Sequence, residues 1–189
     1  MLSTRRLLPA LTLCGLLVAG GKASAQILDG QWFKVKVSSS GFIVDANDGD
    51  AVKKASFSTT AYIRLTFVVD HYIMDTVTET APGAFGLTDT QDLDTPVGAN
   101  EALFPDTFIA VDKQGGDFLQ AFFNMRFIVK TDDTGALKSA QLKTVGGEAV
   151  SESTVNGNAY FGTFSMSGKT IEESKLPFTP PPPPPPPEP

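Results

Sequence analysis

The chain is short of the side chains on which most enzyme chemistry depends. Its 189 residues hold one cysteine, Cys14, and one histidine, His71. No intrachain disulfide, Cys-ligated cluster or multi-histidine zinc site can be built from that inventory. A Ser-His-Asp triad would have to use His71, and no G-x-S-x-G turn is present to carry its serine. Paired carboxylates could still hydrolyse glycosides, but a pair made by folding leaves no mark in the spacing. Cations are scarce as well: 15 lysines and arginines face 21 acidic residues, for a formal charge of −6. An acidic chain without a run of lysines or arginines repels phosphate backbones, so nucleic acid is not an expected partner. No cofactor is expected, and catalysis is disfavoured by inventory.

The ends carry their own signals. Arg5 and Arg6 precede an apolar stretch from Leu7 to Val18, and Ala23-Ser24-Ala25 supplies small residues for cleavage. That stretch is short for a membrane span and is broken by Pro9. Residues 1–25 are therefore expected to be a signal peptide, with no integral span in the mature chain. Cleavage removes Cys14, Arg5, Arg6 and Lys22 and keeps all 21 acids, which moves the formal charge from −6 to −9. Thr4-Arg5-Arg6-Leu7-Leu8 also resembles a twin-arginine export signal. The general secretory route is the expectation, and the destination is periplasmic or extracellular. Leu13 before Cys14 is not the small residue that a lipoprotein signal places there.

At the other end Pro180 to Pro187 run without interruption into Glu188-Pro189. Proline fixes φ and lacks an N–H, so this run is expected as polyproline II, in a disordered tail over 179–189. At 3.1 Å per residue it would extend roughly 25 Å. It could serve as a solvated spacer or as a docking segment for a proline-reading partner. Pro-Glu-Pro also resembles the start of bacterial sorting tails, without the apolar helix and basic cluster that follow it there.

Between the ends, apolar residues alternate with period two, the mark of half-buried strands. Leu119, Ala121, Phe123, Met125, Phe127 and Val129 fall on one face of "DFLQAFFNMRFIVKTD". Ala61, Ile63, Leu65, Phe67 and Val69 do the same in "TAYIRLTFVVD", as do Phe33, Val35 and Val37 nearer the start, and Tyr160, Phe164 and Met166 with Gly162 between them. Ser38 to Gly41, Asn47 to Gly49, Gln114 to Gly116, Asp132 to Gly135 and Asn156 to Asn158 read as hairpin turns. Strands are expected near 31–37, 41–45, 51–57, 60–70, 72–80, 107–112, 117–131, 136–145, 148–155 and 159–168. Thr170 with Glu173 forms a capping-box pattern for a helical turn closed by Pro177. The expectation is one all-β domain over 26–178, an antiparallel barrel or sandwich of about eight to ten strands. Residues 81–106 resist the pattern; either they hide a short strand near Phe85 to Thr88 or they form a surface excursion.

Metal candidates are few. "DANDGD", Asp45 to Asp50, begins like a calcium loop, but its glycine falls one position early and position twelve is Ser56. Asp89, Asp92 and Asp94 cluster in "DTQDLD" and are the other calcium candidates. A tight turn and a solvated surface account for the two stretches equally simply.

Gly30-Gln31-Trp32 at the first strand resembles the opening of the lipocalins. That resemblance implies an antiparallel barrel carrying a small apolar ligand, with Trp32 packed across the closed end beneath a late-strand arginine, here Arg126. No T-D-Y-like motif follows, and the family's disulfides are missing. The leading expectation is an exported, non-catalytic envelope module that binds or assembles with an envelope or extracellular protein. The first alternative is a lipocalin-like carrier of an apolar ligand bound by Trp32, Phe67, Phe123 and Phe127, and the second is a carboxylate-based hydrolase.

Overall fold

The computed structural model describes residues 26–44, 52–93, 101–113, 117–152 and 159–182. Eight antiparallel strands form one sheet: β1 (Gln31–Val44), β2 (Val52–Val68), β3 (His71–Ala81), β4 (Ala84–Leu93), β5 (Glu101–Lys113), β6 (Asp117–Thr131), β7 (Leu137–Glu152) and β8 (Ala159–Ile171). Their order is β4-β3-β2-β1-β8-β7-β6-β5. Each strand pairs with its neighbour in sequence except β4 with β5. The first and last strands pair with each other, and β4 and β5 are the two edges. The sheet curls into a half-barrel.

Curling follows from the one-sided apolar faces. Phe33, Val35 and Val37 of β1, Ala61, Ile63 and Leu65 of β2, Met125 and Phe127 of β6 and Met166 of β8 are buried in one inner core. Because side chains alternate along a strand, every strand turns its apolar set to the same side, and closing the sheet hides it. Rings span the opening between the edges: Tyr72 of β3 meets Phe104 of β5 at 5.8 Å between centroids. Leu28 enters the core just before β1, and its amide donates to the Tyr72 hydroxyl at 3.3 Å.

Burial pushes the Tyr72 phenol up to about 12. Between pH 10 and 12 the folded chain then keeps a proton that the unfolded chain has lost. Stability therefore falls as pH rises through this window, by up to about 1.4 kcal/mol per pH unit. Chemical denaturation at pH 9, 10, 11 and 12 should show that decline, and Tyr72→Phe should flatten it.

The structure has fewer and longer strands than the sequence pattern predicts. Ser38 to Gly41 is not a turn; β1 continues through it. Ser39 faces inward and is buried, with its hydroxyl 2.7 Å from both the Tyr160 hydroxyl and the Thr163 carbonyl oxygen. Gly41 is there because β8 passes so close that a Cβ would lie 2.0 Å from the Phe161 carbonyl oxygen. Opposite it, the Tyr160 ring covers Gly162, where a Cβ would lie 2.5 Å from the phenol oxygen. Residues 51–57 and 60–70 likewise merge into β2, and 136–145 and 148–155 into β7. Within 81–106, the hidden strand exists and is longer than expected, as β4.

Asp132 to Gly135 is a turn as read: Asp132 Oδ1 accepts from the Thr134 and Ala136 amides and the Thr134 hydroxyl, and Gly135 has φ +85°. These hydrogen bonds, led by the Thr134 hydroxyl, hold the Asp132 carboxyl below its ordinary range. The readings on 47–49, 114–116 and 156–158 lie outside the described residues. After β8 the chain makes a 3-10 turn over Glu173–Lys175, but Thr170 is still in the strand and Glu172 caps the turn without a side-chain hydrogen bond. The capping box is thus not formed.

Val69 and Asp70 make the two-residue link between β2 and β3, and Val69 has φ +58° with 71% of its surface exposed. A β-branched residue is strained there, at the position where a hairpin of this type prefers glycine. Val69→Gly is expected to raise the unfolding free energy by about 1 kcal/mol, measured by urea denaturation.

Candidate functional site

The best-built polar site lies on the outside of the half-barrel. Alternation that sends Phe33 inward sends Trp32 outward, and the strand register lines up a row across the sheet. Ile171 of β8 pairs with Trp32 of β1, Trp32 with Arg64 of β2, Arg64 with Asp75 of β3, and Asp75 with Thr90 of β4. One row along, Lys34 pairs with Tyr62 and Tyr62 with Val77. Trp32, Tyr62 and Val77 are buried in a second cluster with Phe85, Ile171, Leu176 and Phe178 packed against it.

What buries them is the chain's own C-terminal segment. After the 3-10 turn it crosses the outer face, and Phe178 enters a box of three rings. Its centroid lies 5.6 Å from Trp32, 5.2 Å from Tyr62 and 5.3 Å from Phe85, edge-on to the first two and tilted to the third. Such pairs contribute roughly 0.5–1.5 kcal/mol each beyond the area they bury. Burial, with the Glu79 charge as a smaller cause, raises the Tyr62 phenol above its ordinary value.

Arg64 ties the same segment to the sheet. Its Nε and one terminal nitrogen donate to Asp75 Oδ2 at 3.0 and 2.6 Å. The terminal nitrogens also donate to the carbonyl oxygens of Pro181, at 2.7 Å, and Pro182, at 3.1 Å. Asp75 Oδ1 accepts from the Thr90 hydroxyl at 3.0 Å. The guanidinium carbon stands 5.3 Å from the centre of the Trp32 ring. Arg64 and Asp75 are both buried, so the pair is stable only because each charge has these partners. Proline carbonyls have no local N–H to pair with, and a fixed guanidinium fork with a ring beneath it fits an extended prolyl backbone.

This arrangement holds the chain's own C-terminal segment against the sheet. Asp75 is fully engaged by Arg64 and Thr90. His71 is partly exposed, with Nδ1 3.0 Å from Asp70 and Nε2 3.8 Å from Asp92. Among the described residues no three His, Cys, Asp or Glu side chains are grouped to hold a metal.

The residues named from sequence separate into three places. Phe67, Phe123 and Phe127 face inward. Phe67 meets Tyr72 at 5.1 Å, Tyr72 meets Phe104, Phe104 meets Phe127 at 5.7 Å, and Phe127 meets Phe33 at 4.9 Å. Phe123 stacks on Phe164 at 4.9 Å. A ligand among these rings would have to displace ring contacts. Trp32 is not with them. The residue that enters the core beside Gly30 is Leu28, and the cation over Trp32 is Arg64 from the adjoining strand rather than Arg126. Asp89 and Asp92 point to opposite faces of β4: Leu93 faces the core and Thr90 the outside, so alternation turns Asp89 inward and Asp92 outward. Asp94 and Asp45 to Asp50 lie outside the described residues.

No family model, curated protein or solved structure matches this chain. No helix among the described residues is long and apolar enough to cross a membrane. Tyr62, Arg64, Asp75 and Phe178 had no place among the residues singled out from sequence. Two signals were there to find: a lone arginine among the apolar and hydroxyl residues of β2, and a Leu-Pro-Phe ahead of the proline run.

Proposed function

We infer that this is an exported, non-catalytic β domain of the cell envelope that works by binding and assembly, and that its proline tail is the assembling element. One observation carries this reading. The root of the tail is built into the fold, with Phe178 in the Trp32, Tyr62 and Phe85 box and the Pro181 and Pro182 carbonyls on Arg64. A spacer that merely separates two bodies has no need of such a root. A segment that must leave the domain at a fixed point, in a fixed direction, does.

Two truncations expressed in the protein's own host test it. A chain ending at Pro182 keeps every contact described above; it should melt at the full-length midpoint but lose retention in the envelope or its co-purifying partner. A chain ending at Lys175 should lose both. Unchanged retention and partners after removal of 183–189 would remove the tail from the assembly role.

A further inference from the structure

The sheet carries a second outer surface whose charges are arranged at a cost to stability. Lys34 of β1 and Lys169 of β8 are direct cross-strand partners. One row away, Arg126 of β6 and Lys143 of β7 are also partners, and Lys143 is followed across the sheet by Ser167 and then Lys36. Like charges placed directly opposite each other weaken a sheet. No acid stands between Lys34 and Lys169: β1, β2 and β8, three adjacent strands, contain no aspartate or glutamate, and the acids of β7, Glu148 and Glu152, come after Lys143 along the strand. Lys34, Lys36, Lys143 and Lys169 are exposed, and among the described residues none of them is in an ion pair. On the other half of the outer face, Asp75, Glu79 and Asp92 sit on β3 and β4. A protein of net negative charge thus has one cationic face. A shallow hollow of about 410 Å³ lies within it, lined by Lys34, Lys36, Lys169, Thr60 and Ser167.

We propose that the outer face of β6, β7, β8 and β1 is a docking surface for an anionic polysaccharide. Adjacent strands lie about 4.8 Å apart and alternate residues about 7 Å. The cations are therefore spread at intervals across an open surface instead of converging on one point, which suits a chain whose charges are separated by a sugar ring or two. Hydroxyls between them, from Thr60, Ser165 and Ser167, offer partners to sugar hydroxyls. Duplex nucleic acid carries a charge every 1.7 Å and would meet the strongest repulsion from the acidic remainder of the molecule. A membrane surface would call for large apolar side chains exposed among the lysines. Among the described residues of these strands, exposed Phe42 and Phe161 pair with each other at the far end of β1 and β8, and Val145 of β7 is the one large apolar side chain exposed near a lysine of this face, Lys143.

The test uses the full exported chain and affinity measurements at low salt on five probes: heparin, polygalacturonate, neutral dextran, vesicles of phosphatidylcholine with one-quarter phosphatidylglycerol, and a 30-base-pair duplex. Binding to heparin or polygalacturonate but not to dextran is expected, weakening steeply with added salt. Lys34→Glu with Lys36→Glu should reduce it at least tenfold. Lys138→Glu, an equal charge change per site on an exposed residue at the start of β7, should change it less than twofold. Lys169→Glu has two opposite effects: it turns a repulsive pair into an attractive one, so the melting midpoint should rise while polysaccharide binding falls at least fivefold. The proposal is overturned if neither polysaccharide binds, if Lys138→Glu is as damaging as the Lys34 and Lys36 changes, or if vesicles or duplex bind more tightly than both polysaccharides.

Discussion

Phe178→Ala should lower the unfolding free energy by about 2–3 kcal/mol, with a fall in melting midpoint of roughly 5–10 °C. The magnitude follows from what the ring does. It is the ring that the C-terminal segment inserts among Trp32, Tyr62 and Phe85, beside Leu176, and its loss leaves three rings facing a void that the backbone of an extended segment cannot fill. The change also has its own optical signature. Trp32 is the sole tryptophan and is 2% exposed; once uncovered, its emission should move to longer wavelength in the folded protein. Phe178→Leu, which refills much of the space without a ring, should recover more than half of the lost stability. A variant that unfolds at the wild-type midpoint, with unshifted emission, would mean that the segment contributes nothing to the fold.

Arg64→Ala is the second large effect, at about 3–5 kcal/mol. Asp75 would be left buried with a charge and only the Thr90 hydroxyl to meet it, and the Pro181 and Pro182 carbonyls would lose their donors. Removing both charges separates these causes. Arg64→Met with Asp75→Leu leaves no orphaned charge and fills similar volume, so it should cost far less than Arg64→Ala. It still cannot hold the two prolines. Guanidinium denaturation of the three proteins gives the energies, and limited proteolysis after residue 178 reports on the tail. Tight stability with a newly cleavable tail is the expected behaviour of the double variant. If the double variant is as unstable as Arg64→Ala, the ion pair is not the source of the loss.

Much of the inner half of this architecture is legible in the sequence. The faces carrying Ala121, Phe123, Met125 and Phe127, and Ala61, Ile63 and Leu65, are the faces the structure buries, because one-sided burial is itself a period-two signal. Strand ends were less legible. Ser38 to Gly41 has the composition of a turn, but Ser39 is held inward by Tyr160 and Thr163, and Gly41 answers to the approach of β8; both reasons belong to a strand more than a hundred residues away.

The outer site was not legible for a related reason. Trp32, Arg64, Asp75 and Thr90 stand in one row only through the register of three strand pairings, and no local spacing encodes it. The tail's place depends on the same row. Lys34 and Lys36 are visible as alternating lysines, yet the repulsive pairing of Lys34 with Lys169 exists only once β1 closes on β8. Overall acidity concealed a cationic face because composition averages over a surface that the fold divides.

Residues 176–182 lie against the outside of β1 to β4, with Phe178 in contact with the only tryptophan. Nuclear Overhauser contacts from the Trp32 indole test it most directly, in full-length protein with labelled phenylalanine. Cross-peaks from the indole to the Phe178 ring, together with Tyr62 to Phe178, are the predicted result. A Phe178 ring at random-coil shifts, with no contact to either residue, would contradict it.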